Sequence, residues 1–248
     1  TVVRDHLSEA HFLQADGRLI IERLRQVPEY EGSFKKVYGG EPSYGKILNA
    51  VSAYVKSLVS EDTPIDRYIN GEKRALSTEA ERGLALFQEK GGCLQCHSGP
   101  LLTDEGFHGL GVPENPEVFK EPMRHITFRR FFKTLGVDGY SSLRKDVGLY
   151  AITKEAKDSG LFKTPSLREV GRTAPYMHNG IFKTLEEVVD FYDRGGGSEE
   201  KDPLLKPLAL SDQEKKDLVE FLGSLSGREI TVTAPLLPGY QPRELGKN

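Results

Sequence analysis

A mainly α-helical fold with long irregular loops is what this sequence of 248 residues predicts. Three observations carry the prediction. Apolar residues recur at intervals of three and four in several stretches, Ser/Thr–x–x–Glu spacings precede three of them, and glycine clusters follow two of them.

From Gly17, GRLIIERLRQV puts Ile20, Ile21, Leu24 and Val27 on one helical face, and Pro28 closes the helix. In GKILNAVSAYVKSLVS the apolar set Ile47, Val51, Tyr54, Val55 and Leu58 has the same spacing, between loops rich in Gly and Pro. Residues 1–60 therefore read as helices with faces to bury and no chemistry of their own. A third helix starts at STEAERGLALFQEKGG, where Thr78 and Glu81 have capping-box spacing and Gly91–Gly92 stops the run. Gly83 lies mid-helix at a cost of about 1 kcal/mol relative to Ala, which leaves two readings open: the close approach of another helix, or an incidental glycine. The candidate partner is LSDQEKKDLVEFLGSLSG, with Ser211 and Glu214 as its capping box and Leu218, Phe221, Leu222 and Leu225 as its apolar stripe. In NGIFKTLEEVVDFYDRGGG, Thr184 and Glu187 form a third box, and Leu185, Val188, Val189 and Tyr192 share a face. The stretch from His108 to Thr153 shows no clean period and reads mostly as loop with short helices. The tail from Thr231 is Pro-rich and reads as extended.

Lys plus Arg total 34 against 37 Asp plus Glu, a net charge of -3, so no basic excess points to nucleic acid or an anionic membrane. No apolar run approaches the roughly 20 residues that span a bilayer, and no membrane insertion is expected. TVVRDHLSEA lacks the features of a signal peptide, which leaves one removed or a chain that starts within a longer protein.

The two cysteines both fall in GGCLQCHSGP. Cys93-x-x-Cys96-His97 is the attachment pattern of c-type haem: two thiols reach the two vinyl groups on one porphyrin edge, and the next imidazole reaches the iron. A redox disulfide would sit in a thioredoxin-like pattern, and zinc would need further Cys or His at a matching interval. One covalent haem with His97 as proximal ligand is the expectation, held in a cytochrome c-like helical domain over residues 61–248. Because such attachment takes place outside the bacterial cytoplasmic membrane, a periplasmic location follows. The other face of the iron decides between an electron carrier and a site open to peroxide. Its candidates are Met123, Met177, His6, His11, His108, His125, His178 and any buried tyrosine. The spacing alone places Tyr192 in the core and does not rank these residues.

ALSTEAERGLALFQEKGGCLQCHSGPLLTDEGFHGLGVP, followed by DVGLYAITKEAKDSGLFKTPSLREVGRTAPYMHNGIFKTLEEVVDFYDRGGG, closely resembles the C-terminal haem domain of the bacterial di-haem cytochrome c peroxidase and MauG family. RLRQVPEYEGSFKKVYGGEPSYGKILNAVSAYVKSLVSEDTPIDRYINGEK resembles, more loosely, the end of that family's first domain. Family members carry two c-type haems, and this chain has only the second Cys-x-x-Cys-His. The resemblance implies the electron-transfer half, with residues 1–60 as a helical remnant of the peroxidatic half. No catalytic residue is assigned, since neither Asp5 nor Glu9 matches the family's pocket glutamate. The resemblance implies Tyr192 as sixth haem ligand, in the position where MauG carries a tyrosine, with Met177 or an open site as alternatives. It also implies Arg168 as partner of a haem propionate, and the backbone carbonyls of Thr173 and Pro175 as calcium ligands.

The implied activity is that of a peroxide-dependent oxidoreductase that relays electrons or stores oxidising equivalents for a second haem. Two alternatives stand beside it: MauG-like oxidation of a residue on a partner protein, and a mono-haem electron-transfer cytochrome with no enzyme activity. The implied partners are a second haem domain or chain, a small redox protein donor or protein substrate, and hydrogen peroxide, with a dimer as a further option.

Overall fold

The computed structural model describes residues 2–9, 12–197, 201–233, 236 and 238–239. The ligand candidate His11 and most of the tail after Thr231 lie outside the described residues. The chain divides into two units, one of Thr1–Val59 with Glu229–Asn248 and one of Ser60–Arg228.

The smaller unit holds α1 (Val2–Ser8), α2 (Gly17–Arg25), α3 (Pro28–Tyr38) and α4 (Tyr44–Ser57). Asp16 caps α2 by accepting the Arg18 N–H at 2.8 Å. Pro28 does more than end a helix. It opens α3 from its first position, where its missing N–H costs nothing. No residue of α1, α2 or α3 is buried, and of the apolar set on α4 only Ile47 is, while Tyr54, Val55 and Leu58 are exposed.

The larger unit is built on α6 (Thr78–Gln88) crossing α11 (Asp212–Gly223), with α5 (Pro64–Ile69) and α10 (Leu185–Asp193) against them. Phe87, Val189, Leu218, Phe221 and Leu225 form the centre of its core, and the Phe87 and Phe221 rings meet at 5.1 Å. α10 and α11 each begin with both arms of a capping box, Thr184 with Glu187 and Ser211 with Glu214. The start of α6 differs from the sequence expectation by one residue. Ser77 is the cap, accepting the Ala80 N–H at 3.1 Å, so Thr78 and Glu81 form no box.

The stretch expected to be mostly loop contains α7 (Glu117–Lys120), α9 (Tyr150–Thr153) and, between them, the 13-residue helix α8 (Pro122–Thr134). α8 has a core of its own, in which Phe132 is wholly buried among Val137, Val147 and Ala151, with Phe128, Phe131 and Leu135 packed around it. Arg129, Arg130 and Lys133 interleave with those rings and mask the stripe in the sequence. A two-stranded antiparallel ribbon, β1 (Phe107–His108) with β2 (Phe162–Lys163), pairs His108 with Phe162. Among the described residues no helix is long and apolar enough to cross a membrane.

Candidate haem site

α6 delivers the cysteines. After its last turn the Gly91 N–H returns to Leu86 O at 2.7 Å, and Gly92 takes a left-handed φ of 62° that starts a 3-10 turn over Cys93–Gln95. The His97 N–H donates to Cys93 O at 2.9 Å, so Cys93, Cys96 and His97 lie on one tight turn. Both cysteines are free thiols. Burial pushes the Cys93 thiol up to about 11 and raises that of Cys96, so each stays protonated at neutral pH and is a poor thiolate ligand. The His97 ring is fixed by Nδ1–H donating to Leu102 O at 2.9 Å, and burial lowers its pKa. A neutral imidazole with its proton on Nδ1 presents the Nε2 lone pair, the form an iron ligand needs.

Tyr192 stands on α10, half-buried, its ring 5.5 Å from that of Phe191. Burial pushes its phenol pKa up, and the charges of Cys93 and Cys96, when ionised, push it further. That hydroxyl has no hydrogen-bond partner among the described residues.

Among the described residues, several of the other candidates for the sixth ligand lie at the surface or are held by other contacts. Met123 is exposed on α8, and His6 stacks on Phe12 in the smaller unit. His125 packs edge-on against Phe119, while Met177 is half-buried in a left-handed turn at a φ of 68°. His178 stacks on Phe162 with ring centroids 3.6 Å apart, and His108 is bound on both sides by carboxylates.

Arg168 donates from Nη1 to Asp66 Oδ2 at 2.6 Å and to Thr63 Oγ1 at 3.3 Å, and from Nε to Pro100 O at 2.9 Å. These bonds tie β2's following loop to α5 and to the segment after His97. Thr173 and Pro175 are exposed after the 3-10 turn Val170–Arg172, with Pro175 on the rim of a groove of about 600 Å³ shared with Asn115, Glu117 and Lys183.

Sequence reasoning missed a second set of residues. Cys96, Asp104 and His108 offer ligand atoms within 4.8 Å of one another. Once its sulfur is a haem thioether, Cys96 no longer offers a thiolate to such a cluster. Asp104 and His108 sit four residues apart, but the third member of their network, Asp202, is 94 residues beyond His108. No local pattern links them.

The residues present fit a c-type haem: two protonated thiols, an oriented neutral imidazole, and a phenol hydroxyl without a partner. The family model described as di-haem cytochrome c peroxidase matches residues 4–74. The cytochrome-c peroxidase IdrP2 of Denitromonas iodatirespirans is 50% identical over 248 residues, all of this chain and 67% of that protein. The chain belongs to the di-haem cytochrome c peroxidase and MauG family. The methylamine utilization protein MauG of Methylorubrum extorquens is 34% identical over 226 residues, 89% of this chain and 56% of that protein. Among solved structures, a MauG-like protein associated with microbial copper homeostasis superposes with a TM-score of 0.73 at 27% identity, over 92% of this chain and 69% of that one. The family is one of peroxidase-type oxidoreductases with haem c as cofactor, and its mainly helical fold is the fold described above.

Proposed function

We propose that this chain is the haem c-binding half of a di-haem peroxidase-like oxidoreductase, relaying electrons or storing oxidising equivalents for peroxide-dependent chemistry at a second haem. The observation that carries the proposal is the tight turn that groups Cys93, Cys96 and an oriented His97 imidazole, in a chain with only two cysteines. Two thiols suffice for one covalent haem. Cys93 and Cys96 would each add S–H across one vinyl C=C of the porphyrin, sulfur to one carbon and hydrogen to the other, to give a thioether; His97 would bind the iron through Nε2 while Leu102 O holds Nδ1–H, and Tyr192 would be the second protein ligand. The bound haem supplies one-electron redox chemistry. Arg168 braces the segment after His97 through Pro100 and Asp66.

The second haem would come from a domain of which residues 1–60 are a part, or from a separate chain. The sparsely buried faces of α1 to α4 and the match of the family model to residues 4–74 support that reading. Periplasmic residence follows from the site of haem c attachment. Calcium at the Thr173 and Pro175 carbonyls, a small redox protein as donor, and dimerisation belong to the same reading.

Tyr192 favours a second reading, the MauG-like oxidation of a residue on a partner protein. A phenolate is a harder, more electron-rich donor than a thioether and lowers the potential, which suits the holding of oxidising equivalents better than electron entry. Intact mass and a peroxide titration test the function. One haem per chain, with a ferric spectrum that changes on peroxide addition only when a second haem domain is supplied, is the expected result. A spectrum unresponsive to peroxide in either state reduces the chain to an electron-transfer cytochrome.

A further inference from the structure

His108 is held from both sides. Its Nδ1 lies 2.7 Å from Asp202 Oδ2 and its Nε2 lies 3.0 Å from Asp104 Oδ2. Since a carboxylate only accepts, both ring nitrogens carry protons and both bonds are charge-assisted. The imidazolium is favoured further by a pKa raised first of all by the Asp202 hydrogen bond.

The two carboxylates come from segments far apart in the chain. The Asp104 N–H donates to Cys96 O at 2.8 Å, which makes Asp104 part of the turn carrying Cys96 and His97. Asp202 lies on the loop that follows α10, the helix of Tyr192. Two described residues after α10 pair with the segment after β1, the Asp202 N–H donating to Gly109 O and the Gly197 N–H to Leu110 O, both at 2.9 Å. The approach is so close that a β-carbon at Gly197 would fall 1.6 Å from Gly111 O. The backbone after α10 is thus pinned at two points, and the Asp202 side chain adds a bond to His108 on β1.

We propose that His108 is a positioning residue for the haem: bridging Asp104 and Asp202, it locks the Cys96–His97 turn to the loop after Tyr192 and so sets how the phenol oxygen meets the iron. The proposal rests on Tyr192 as the sixth ligand. Removing the bridge leaves two carboxylates facing each other without a cation between them, and the two segments lose their shared anchor.

The test uses the full chain with haem attached, in four variants: His108→Leu, Asp202→Asn, His108→Gln and Tyr192→Phe. Ferric absorption and magnetic circular dichroism spectra report the sixth ligand, a redox titration gives the midpoint potential, and pyridine haemochrome gives the haem content. Asp202→Asn is nearly isosteric and keeps an oxygen for the Leu204 N–H, so it loads haem even where His108→Leu does not. The expected result is that Asp202→Asn and His108→Leu lose part of the phenolate-ligated low-spin signal and raise the potential at unchanged haem content. His108→Gln, which keeps amide donors, restores part of the signal.

A merely structural role would lower haem content or melting temperature and leave the spectrum and potential of the loaded molecules at wild-type values. If that is the result while Tyr192→Phe abolishes the phenolate signal, the proposal falls and tyrosine ligation stands. If Tyr192→Phe itself changes nothing, tyrosine ligation is wrong and the proposal falls with it.

Discussion

A β-carbon on Gly83 would stand 2.0 Å from the carbonyl oxygen of Asp217 and 2.7 Å from Cβ of Phe221, so α6 and α11 cross with backbone against backbone. This crossing sets the direction in which α6 ends, and hence where Cys93, Cys96 and His97 are presented. Gly83→Ala should therefore destabilise the chain, although alanine is the better helix former by about 1 kcal/mol. Overpacking against backbone that cannot swing aside costs about 1–3 kcal/mol, and the net loss should be read directly as a lower urea midpoint.

One residue before that glycine, Arg82 donates from Nε and Nη2 to the two carboxylate oxygens of Asp217 at 2.7 and 2.8 Å. The Asp217 side chain is 3% exposed while that of Arg82 is 46% exposed, so the carboxylate bears the cost if the pair is broken. Arg82→Met should destabilise the chain and lower the urea midpoint, because it takes the cation from a carboxylate that keeps the Gln213 amide as a donor. The Arg82 hydrogen bonds hold the Asp217 carboxyl below its ordinary range. A depressed folded pKa gives stability that is fully present above the unfolded value of about 3.9 and lost as pH falls through the folded one. The stability gap between wild type and Asp217→Asn should be full and constant above a pH of about 5 and should narrow as the pH falls below about 4.

Patterns are legible in the sequence where the interacting partners are close along the chain. The boxes of α10 and α11 each span four residues, and pattern and structure coincide there; the Cys93–Cys96–His97 pattern, over five residues, is equally local. Gly83 is legible in part: its cost inside a helix admits a close neighbour as one of two readings, and the crossing with α11 selects it. α8 is not, because Phe128, Phe131 and Phe132 alternate with Arg129 and Arg130, and the helix buries a narrow stripe in a small separate core. The Leu102 carbonyl that orients His97 belongs to the backbone and leaves no mark on residue identity. The bridge from Asp104 through His108 to Asp202 joins residues far apart in sequence whose charges look solvated.

The same bridge has a pH signature opposite to that of Asp217. The Asp202 hydrogen bond, followed by that to Asp104, raises the His108 pKa above its ordinary value of about 6.5. A raised folded pKa gives stability that is complete below the unfolded value and lost as pH rises through the folded one. The stability gap between wild type and His108→Leu should be widest near a pH of about 6 and should close in mildly alkaline solution. A gap that is constant across this range would show that the ring contributes packing and not charge.

Phe132 offers a test of how independent the α8 region is. It is wholly buried in a cluster distinct from the one around Phe87 and Phe221. Phe132→Ala should remove about 3–5 kcal/mol of local packing. Because the two clusters are separate, amide hydrogen exchange should accelerate over Pro122–Thr134 and around Val147, while α6 and α11 keep their protection. Uniform acceleration throughout Ser60–Arg228 would mean that the clusters unfold as one.

Tyr192 is the residue on which haem loading should have the largest electrostatic effect. In the chain without haem, burial raises its phenol above the ordinary value of about 10, and ionised Cys93 and Cys96 oppose a third negative charge beside them. A spectrophotometric alkaline titration should therefore miss Tyr192. Tyr192→Phe should leave the amplitude of the ordinary tyrosine transition unchanged. A bound iron cation reverses this balance, because it stabilises the phenolate directly and the two thiols have become neutral thioethers. In the haem-loaded chain the Tyr192 phenolate should then be present at neutral pH, many pH units below its ionisation in the haem-free chain. A resonance Raman phenolate–iron mode that persists to mildly acidic pH and vanishes in Tyr192→Phe is the outcome expected. Loss of amplitude on Tyr192→Phe in the haem-free titration would place the phenol in water and remove the physical basis for its choice as a ligand.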